Sequence, residues 1–491
     1  MRRAALAAAA LLAALTLARL PDACASGNAL NHVSGAWMTL ADDLARGTLY
    51  RPLRSAQGFG GTRYFPLAFA VQAGLRRAGL GPVAAGEAAS LAAGALLAGA
   101  LVLLLRRLGA GRADAAAGAA LAFAGFAGQH ALLSARGDLL PVGLGAAALA
   151  RLAHPGRARV PAAAALLVLA VAAKPTAIGA AAAAIAFLAF SGAGRDAVRL
   201  AGLVAAGSAV ALAGVDALSS GRFHEALAAV GSGGATARSI LAAPLRIAQE
   251  LLREDPAGLV LCGAAVAVLA ASLPRLARRG AADPRLLPAL WLAAAWALAL
   301  AVFGSPGTGV NHLVEIEAAS AALVCAALGP ARPAGLARAG ALAAALAGVA
   351  LSLSLWRADR AGSRLEEARA VLRALPPGAP LLSEDPLVPL LAGESPVLLD
   401  AFALRLVAEE EPAFGAPLEA DLRRGAFPAI VLLADLRAAD ASRWYACGNL
   451  GLPLVGAIRD GYRPAGAFGR YHLLVPRGGA APGVARRGAP R

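Results

Sequence analysis

Long apolar stretches separated by small polar groups run from the start of the chain to residue 356. Many of these stretches approach the ~20 residues that a helix needs to cross a hydrocarbon core. The pattern predicts about 11 transmembrane helices, several of them short. The predicted spans are 4–20, 83–105, 114–132, 138–153, 160–173, 176–191, 198–217, 257–274, 286–303, 313–329 and 339–356.

The pattern changes after Trp356. Residues 363–476 combine short apolar runs, such as 430–433 and 473–475, with helix-like stretches rich in Glu and Arg. This alternation predicts a small soluble α/β domain, which we assign to residues 357–476. The tail 477–491, rich in Gly, Pro and Arg, is predicted to be disordered.

The composition supports a membrane protein. The chain of 491 residues is 59% hydrophobic and only 15% charged, whereas soluble proteins carry about 25% charged residues. We therefore predict an α-helical polytopic membrane protein, with residues 1–356 as its transmembrane domain. The formal net charge of +16 is spread in small groups between apolar stretches, so the basic residues form no single patch and we expect no nucleic-acid partner.

The arginine groups predict the orientation of the chain, because short cytoplasmic loops are enriched in basic residues. Pairs such as Arg106/Arg107 and Arg278/Arg279 then lie inside. The N-terminus is predicted to be cytoplasmic, and residues 21–82, 218–256 and everything after Trp356 to lie outside a bacterial-type inner membrane, with the C-terminal domain in the periplasm. The first span also resembles a secretory signal cleaved near Cys24, and both interpretations leave residue 26 onward outside.

The first outer loop, residues 21–82, contains a predicted interfacial helix. Trp37, Leu40, Ala41 and Leu44 recur at helical spacing, which predicts an amphipathic helix over 33–46 lying on the membrane surface. Asp42 on this helix is either a solvated charge or a catalytic carboxylate.

Isolated charges stand at the outer ends of later spans. Arg136 and Asp138 begin one span, where a charge near hydrocarbon is unfavourable unless it is paired or hydrated; a functional role and a mutual ion pair both fit. Lys174, the only lysine of the chain, precedes Pro175 at a turn between spans. A point-charge ammonium suits phosphate binding, and the alternative is a lysine that reaches to the headgroups.

Asn311, His312, Glu315 and Glu317 begin another span from the outside. Side chains two positions apart on a helix point about 200° apart, so we expect only one of Glu315 and Glu317 to face a polar cavity. Because all these groups lie on one side of the membrane, they predict an outer cavity for a substrate with a phosphate and an acid/base step.

The four cysteines, at positions 24, 262, 325 and 447, show no CxxC spacing and no Cys/His cluster, so no metal site is assigned. Cys24 and Cys447 both fall outside in the predicted topology. A disulfide between them is a hypothesis that the oxidising compartment allows.

Four stretches, in this order, carry a family resemblance over residues 1–356. The first is the outer loop, with its parts 45–50 and 64–67, and the other three are Arg136-Gly137-Asp138-Leu139-Leu140, Ala173-Lys174-Pro175-Thr176 and 311–315. They resemble the first outer loop, the Arg-x-Asp segment, the Lys-x-Thr turn and the late Asn-Tyr/His-x-x-Glu segment of the GT-C superfamily. This superfamily of polyprenyl-phosphate-sugar-dependent glycosyltransferases includes protein O-mannosyltransferases and the aminoarabinose transferase of lipid A.

The resemblance implies transfer of a sugar from a polyprenyl-phosphate donor to a lipid, glycan or protein acceptor outside the cytoplasm. It also implies that eight polar residues bind the donor or the acceptor: Asn31, Arg63, Arg136, Asp138, Lys174, Asn311, His312 and Glu315. Such enzymes use a divalent ion or none, so no cofactor is assigned.

One departure concerns the catalytic base. The family carries an Asp or Asp-Glu pair early in the first outer loop, where this chain reads Asn31-His32. His32 or Asp42 is then the candidate base, or transferase activity has been lost. A transporter or lipid flippase and an inactive scaffold are the rival functions; transporters often show internal repeats and broken helices, and we find no repeat.

Overall fold

The computed structural model describes residues 1–56, 58–153, 159–279, 283, 285–328, 334–376, 378, 380–439 and 441–478. The tail predicted to be disordered lies outside the described residues from 479 onward.

Helix is the main element of the first 361 residues. The long and intermediate helices are α1 (Arg2–Ser26), α2 (His32–Ala45), α3 (Pro66–Arg77), α4 (Pro82–Arg107), α5 (Arg112–Leu121), α6 (Phe126–Ala131), α7 (Leu139–Leu152), α8 (Arg159–Ala173), α9 (Gly179–Phe190) and α10 (Gly194–Leu218). They are followed by α11 (Arg222–Val230), α12 (Ala237–Leu241), α13 (Ala243–Arg253), α14 (Pro256–Arg279), α15 (Leu286–Val302), α16 (Val314–Ala326) and α17 (Ala334–Ala361). A short hairpin, β1 (Arg54–Ser55) and β2 (Gly58–Phe59), lies in the first loop.

Five helices within the described residues are long and apolar enough to cross a membrane, namely α1, α4, α10, α14 and the helix that begins at Ala334. Shorter apolar helices are α7, α8, α9 and α15. Each predicted span contains a helix, so the chain is a mostly helical membrane protein; the exact number of spans stays a prediction. In the bundle α1 packs along α17 and α4 along α7, and a buried ion pair of 2.6 Å joins Arg19 of α1 to Asp359 of α17.

The span predicted at 114–132 is broken. Helix α5 ends at Leu121 and α6 begins only at Phe126. The Asp255 carboxylate accepts hydrogen bonds from Phe126 N and Ala127 N at 2.7 and 3.0 Å. An acceptor at a helix N-terminus satisfies donors that have no partner within the helix, and it stabilises this interruption inside the bundle.

The amphipathic helix of the first loop has different surroundings from those predicted. Helix α2 matches the predicted bounds closely, but its residues from Ser34 to Asp43 are buried. It packs against α3, α4 and α19 (Leu387–Leu391), and a Cβ at Gly35 would lie only 2.5 Å from Leu387 N. Protein covers both faces of this helix, so its polar face is not exposed to solvent as predicted; its position at the membrane surface stays a prediction.

The C-terminal part combines helices with a sheet. Its other helices are α18 (Arg364–Arg373), α20 (Ala401–Glu410), α21 (Pro412–Arg423), α22 (Ala441–Cys447) and α23 (Leu452–Gly461). Its strands are β3 (Leu381–Ser383), β4 (Ala429–Leu432), β5 (Tyr462–Phe468) and β6 (Tyr471–Pro476), in the order β3-β4-β6-β5 with only β3 and β4 parallel. The apolar runs noted in the sequence form β4 and β6. Since α17 continues to Ala361, the boundary predicted after Trp356 falls inside a helix.

Alternation along the central strands builds two cores. Ile430 and Leu432 pack with Leu474 on one face of the sheet, whereas Val431 and Leu473 pack on the other. Side chains of a strand point to opposite faces in turn, so helices cover the sheet on both sides.

The first loop is fixed to the C-terminal part by backbone pairing. Phe59 N donates to Val397 O at 2.8 Å, and Leu399 N donates to Phe59 O at 3.0 Å. A Cβ at Gly58 would lie 2.0 Å from Val397 O, and its φ is +126°, so this approach requires glycine. The pairing places Asp400, the next residue, beside the first loop.

The disulfide hypothesis is wrong. All four cysteines are unpaired in the structure, with Cys24 half-buried in α1 and Cys447 exposed at the end of α22.

Candidate functional site

A cavity of about 490 Å³ lies where the first loop, the ends of several membrane helices and the C-terminal part meet. Loops at the same end of α7, α8 and α16 form its floor, and α20 and the segment after α22 form a wall. Eight of the ten site residues predicted from the sequence line it: Asn31, His32, Arg63, Arg136, Asp138, Lys174, Asn311 and His312.

Asp138 is the centre of an ionic cluster on the floor. Its Oδ1 accepts a hydrogen bond from Lys174 Nζ at 2.6 Å and another from Asn311 Nδ2 at 3.1 Å. Arg136 Nε lies 3.2 Å from Asp138 Oδ2, but the two buried atoms lack the alignment of a hydrogen bond. The Lys-x-Thr turn, the Arg-x-Asp segment and the late Asn-His segment, far apart in sequence, therefore meet at one carboxylate.

Arg63 is the third cation of the cavity. Its guanidinium lies over the Phe402 ring, with Cζ 4.8 Å from the ring centroid, and donates to Ser305 Oγ at 3.4 Å. Ser305 Oγ donates in turn to Gly233 O at 2.7 Å. A Cβ at Gly233 would lie 2.1 Å from the Arg63 guanidinium, so glycine there lets the backbone approach the cation. An aromatic face attracts the guanidinium without neutralising its charge.

His32, the first residue of α2, faces the cavity from the first loop. Its ring makes an edge contact with Trp444, with 6.1 Å between centroids. Burial lowers the pKa of His32 to about 4, and the carboxylates Asp385 and Asp400 only partly oppose this shift. The imidazole is therefore neutral at pH 7 and has a lone pair with which it can accept a proton.

The wall formed by the C-terminal part is held by Glu384. This buried carboxylate accepts hydrogen bonds from Trp444 Nε1 at 2.7 Å, Asn449 Nδ2 at 2.9 Å and the Tyr445 hydroxyl at 3.1 Å. Burial raises the pKa of Glu384, while these donors oppose the shift. The network fixes Trp444 and Asn449 where they line the cavity.

Two carboxylates of α16 occupy different surroundings. Glu315 lines a small cavity next to the main one, beside Lys174 and His312, and accepts a hydrogen bond from Trp291 Nε1 at 2.9 Å. Glu317 turns away and accepts from Gly128 N at 3.1 Å at the start of α6. Their angular separation on the helix accounts for this difference.

Asp42, the alternative base, does not line either of these cavities. It pairs with Arg76 at 2.7 Å and with Arg46 one turn further along α2. Its carboxylate therefore joins α2 to α3, and the structure does not bring it to the ionic cluster.

The charge of the cavity suits an anion. Its described lining contains three cations, Arg63, Arg136 and Lys174, and two carboxylates, Asp138 and Asp400, which gives a formal net charge of +1 with both histidines neutral. Cations that converge in a confined site attract phosphate more strongly than they would in water. The described residues hold no group of three or more His, Cys, Asp or Glu side chains placed to bind a metal ion.

Sequence reasoning missed the lining residues of the C-terminal part, namely Asp400, Phe402, Trp444 and Asn449. One signal was available for Asp400, which follows an apolar run and precedes a helical stretch, the usual place of an N-cap. No pattern in the sequence indicates that this helix start faces a cavity formed by residues 31–32 and 63–65.

Comparisons with known proteins bear on the fold. No family model and no curated protein matches the sequence. The crystal structure of ArnT from Cupriavidus metallidurans bound to undecaprenyl phosphate is similar over 98% of this chain and 99% of that one, with a TM-score of 0.56 and 14% identity. The apo form of ArnT gives a TM-score of 0.52 over 90% and 92%, with 15% identity.

An archaeal protein has a similar structure. The oligosaccharyltransferase AglB from Archaeoglobus fulgidus, in complex with an inhibitory peptide and a dolichol-phosphate, gives a TM-score of 0.54 with 13% identity over 90% of this chain and 71% of that one. ArnT and AglB are both GT-C superfamily members. The chain therefore has the GT-C fold, and the resemblance seen in the sequence is confirmed at the level of the fold.

Proposed function

We propose that the protein is a membrane glycosyltransferase that moves a sugar from a polyprenyl-phosphate donor to a lipid, glycan or protein acceptor. The observation that carries this proposal is the convergence of Arg63, Arg136 and Lys174 on one cavity at the end of the membrane helices. Solved structures of the same fold contain undecaprenyl phosphate and a dolichol-phosphate, which supports a lipid-linked phosphate as the ligand of these cations.

The proposed chemistry follows from the charges. In glycosyl transfer the bond between the anomeric carbon and the donor phosphate breaks, and the departing phosphate gains negative charge. Lys174 and Arg63 favour that charge in the transition state, in a site partly removed from water. His32 is the candidate base from the first loop that faces the cavity, since Asp42 is engaged elsewhere.

The orientation of the site in the membrane is part of the proposal. Helices α4 and α14 end in Arg106/Arg107 and Arg278/Arg279, and these ends are the cytoplasmic ones by the positive-inside rule. The cavity then faces the periplasmic side of a bacterial inner membrane, with the N-terminus in the cytoplasm. The lipid chain of the donor would lie in the membrane beside the short helices.

A transporter or flippase is the rival function. The break between α5 and α6 is the observation that favours it, since broken helices are common in transporters. That break is capped by Asp255, and its residues are absent from the described lining of the large cavity. An inactive scaffold is the second rival.

A comparison of glycolipids and glycoconjugates in a deletion strain and its parent separates these functions. The proposed transferase predicts a glycosylated product missing from the deletion strain, with its polyprenyl-phosphate sugar accumulating on the periplasmic side. Accumulation of the donor on the cytoplasmic side instead supports a flippase, and unchanged lipids contradict both.

A further inference from the structure

The proposed reaction needs a group that takes the proton of the acceptor hydroxyl, and two carboxylates occur in the described lining of the cavity, Asp138 and Asp400. General-base catalysis requires a proton acceptor within hydrogen-bond reach of the hydroxyl. The surroundings of the two carboxylates decide between them.

Asp138 is paired with the cations Lys174 and Arg136. Its Oδ1 accepts from both Lys174 and Asn311, and its Oδ2 is inaccessible to solvent beside Arg136 Nε at 3.2 Å. A proton on Asp138 would remove the counter-charge of Lys174 and Arg136. These contacts suit a carboxylate that positions cations and remains ionised throughout.

The backbone hydrogen bonds to the Asp400 side chain involve only one of its two carboxylate oxygens. Its Oδ1 caps α20 by accepting from Phe402 N at 3.0 Å and Ala403 N at 3.1 Å. A carboxylate has about four acceptor positions on its two oxygens; these two backbone bonds use only Oδ1, and Asp400 lines the cavity. The backbone bonds fix the orientation of the group.

The position of Asp400 relative to the first loop is equally fixed. It directly follows Leu399, whose N–H donates to Phe59 O. His32, Tyr64 and Asp400 all line the cavity, and the negative charge of Asp400 partly opposes the lowering of the His32 pKa by burial. The C-terminal part thus places a carboxylate in the same cavity lining as Asn31 and His32 of the first loop.

We infer that Asp400 is the general base of the proposed glycosyl transfer, supplied by the C-terminal part in place of a first-loop carboxylate; this inference rests on the proposed function. Asp400 takes the proton of the acceptor hydroxyl as the acceptor oxygen forms its bond to the anomeric carbon. The bond between that carbon and the donor phosphate oxygen breaks, and the polyprenyl phosphate leaves with the electron pair.

His32 is then a positioning residue. A proton on its imidazole would add a cation next to Arg136 and Arg364, both of which disfavour that charge. Its neutral ring, held against Trp444, can instead accept or donate one hydrogen bond to orient the acceptor hydroxyl. A neutral side chain that can form the same hydrogen bond would orient the acceptor hydroxyl without acting as a base.

The test compares Asp400→Asn with wild-type protein. Asparagine caps a helix about as well as aspartate, so the variant keeps the start of α20 while it loses its basicity. We expect turnover to fall by about 100-fold or more, the usual contribution of a general base, and binding of undecaprenyl phosphate, measured by native mass spectrometry, to stay within about two-fold. Asp400→Glu should regain part of the rate.

Turnover is measured as product formation in membranes of the deletion strain, which supply donor and acceptor. Asp435→Asn is the matched control, because Asp435 also caps a backbone N–H, that of Arg437, on an exposed loop of the same part. His32→Gln should lose less than about ten-fold, below the range of a general base.

Two results overturn the inference. If wild-type protein and Asp400→Asn are equally active, Asp400 is not the general base, while the proposed glycosyl transfer stands. A loss of about 100-fold in His32→Gln or Asp42→Asn would then assign the base to the first loop. A folded wild-type protein that forms no product and binds no undecaprenyl phosphate overturns the proposed function and this assignment together.

Discussion

Lys174 Nζ lies 2.6 Å from Asp138 Oδ1, so the only lysine of the chain is bound to the carboxylate at the start of α7. The pair joins the ends of two neighbouring membrane helices, α7 and α8, at the floor of the cavity. Its side chains are 18% and 6% exposed, which leaves the ammonium accessible from the cavity. The pair can therefore orient Lys174 toward an arriving phosphate while each member balances the charge of the other.

Replacement of Lys174 by Ala should weaken donor binding. The lost charge-assisted contact corresponds to roughly 1.5–3 kcal/mol, or about 10- to 150-fold in affinity or in the rate at sub-saturating donor. Lys174→Arg should restore little if the site needs a compact ammonium, because the guanidinium is wider. Titration with undecaprenyl phosphate measures both variants.

A double variant separates phosphate binding from the ion pair with Asp138. If Lys174 served only as the partner of Asp138, Lys174→Ala with Asp138→Asn would recover stability and donor affinity together, since no unpaired carboxylate would remain. We expect recovery of the thermal unfolding midpoint alone. Full activity in Lys174→Ala would show that the phosphate is held elsewhere, by Arg63 and Arg136.

Arg63→Ala should lower undecaprenyl phosphate affinity by about ten-fold, in line with the loss of one charged hydrogen bond. Arg54→Ala is the matched control, because Arg54 also lies over a phenylalanine ring, that of Phe414, at 5.8 Å, and is absent from the described cavity lining. Equal effects of the two substitutions would mean that Arg63 acts only through its packing on Phe402.

The lowered pKa of His32 predicts that the stability of the folded protein depends on pH. Its pKa is about 4 in the folded protein and about 6.5 in an unfolded chain. Between these values the unfolded chain binds a proton that the folded one does not, so stability falls as pH falls from about 6.5 to about 4, by about 1–3 kcal/mol. The unfolding midpoint in detergent should therefore drop more between about pH 7.5 and about pH 4.5 for wild type than for His32→Gln. Identical drops would contradict a half-buried imidazole that stays neutral in the folded protein.

Reporter fusions test the orientation. Alkaline phosphatase fused after Gly362, the residue that follows the end of α17 at Ala361, should be active, and a fluorescent protein that folds only in the cytoplasm should be dark there. The reason is the basic ends of α4 and α14, which the positive-inside rule assigns to the cytoplasm. The opposite pattern would place the cavity on the cytoplasmic side.

Residues at the ends of membrane spans could be identified from the sequence because the bilayer restricts polar groups so strongly. Arg136, Asp138 and Lys174 stand out as charges next to hydrocarbon, and the structure brings them together through the antiparallel arrangement of α7 and α8. An ion pair between Arg136 and Asp138 is one of the two interpretations of the sequence, whereas the pairing of Lys174 with Asp138 depends on the packing of α8 against α7.

The surroundings of Asp400 and Asp42 could not be predicted from the sequence. The position of Asp400 in the cavity lining depends on the pairing of Phe59 with residues 397–399 in the distant C-terminal part, and no periodicity in the sequence indicates such pairing. Asp42 lies on a helix found close to its predicted bounds, yet the packing of α3 decides that it meets Arg76 instead of the cavity. The break after Leu121 likewise depends on Asp255, which directly precedes another helix.

The most direct measurement of the central claim uses purified protein in proteoliposomes, with polyprenyl-phosphate-linked hexoses and pentoses as donors and membranes of the deletion strain as the source of acceptor. Mass spectrometry follows free polyprenyl phosphate and glycosylated acceptor together. We expect both to form in equal amounts with at least one donor, and the double variant Arg63→Ala, Lys174→Ala to form neither. Donor that stays intact in the presence of folded wild-type protein, or crosses the bilayer unchanged, would contradict the proposed glycosyl transfer.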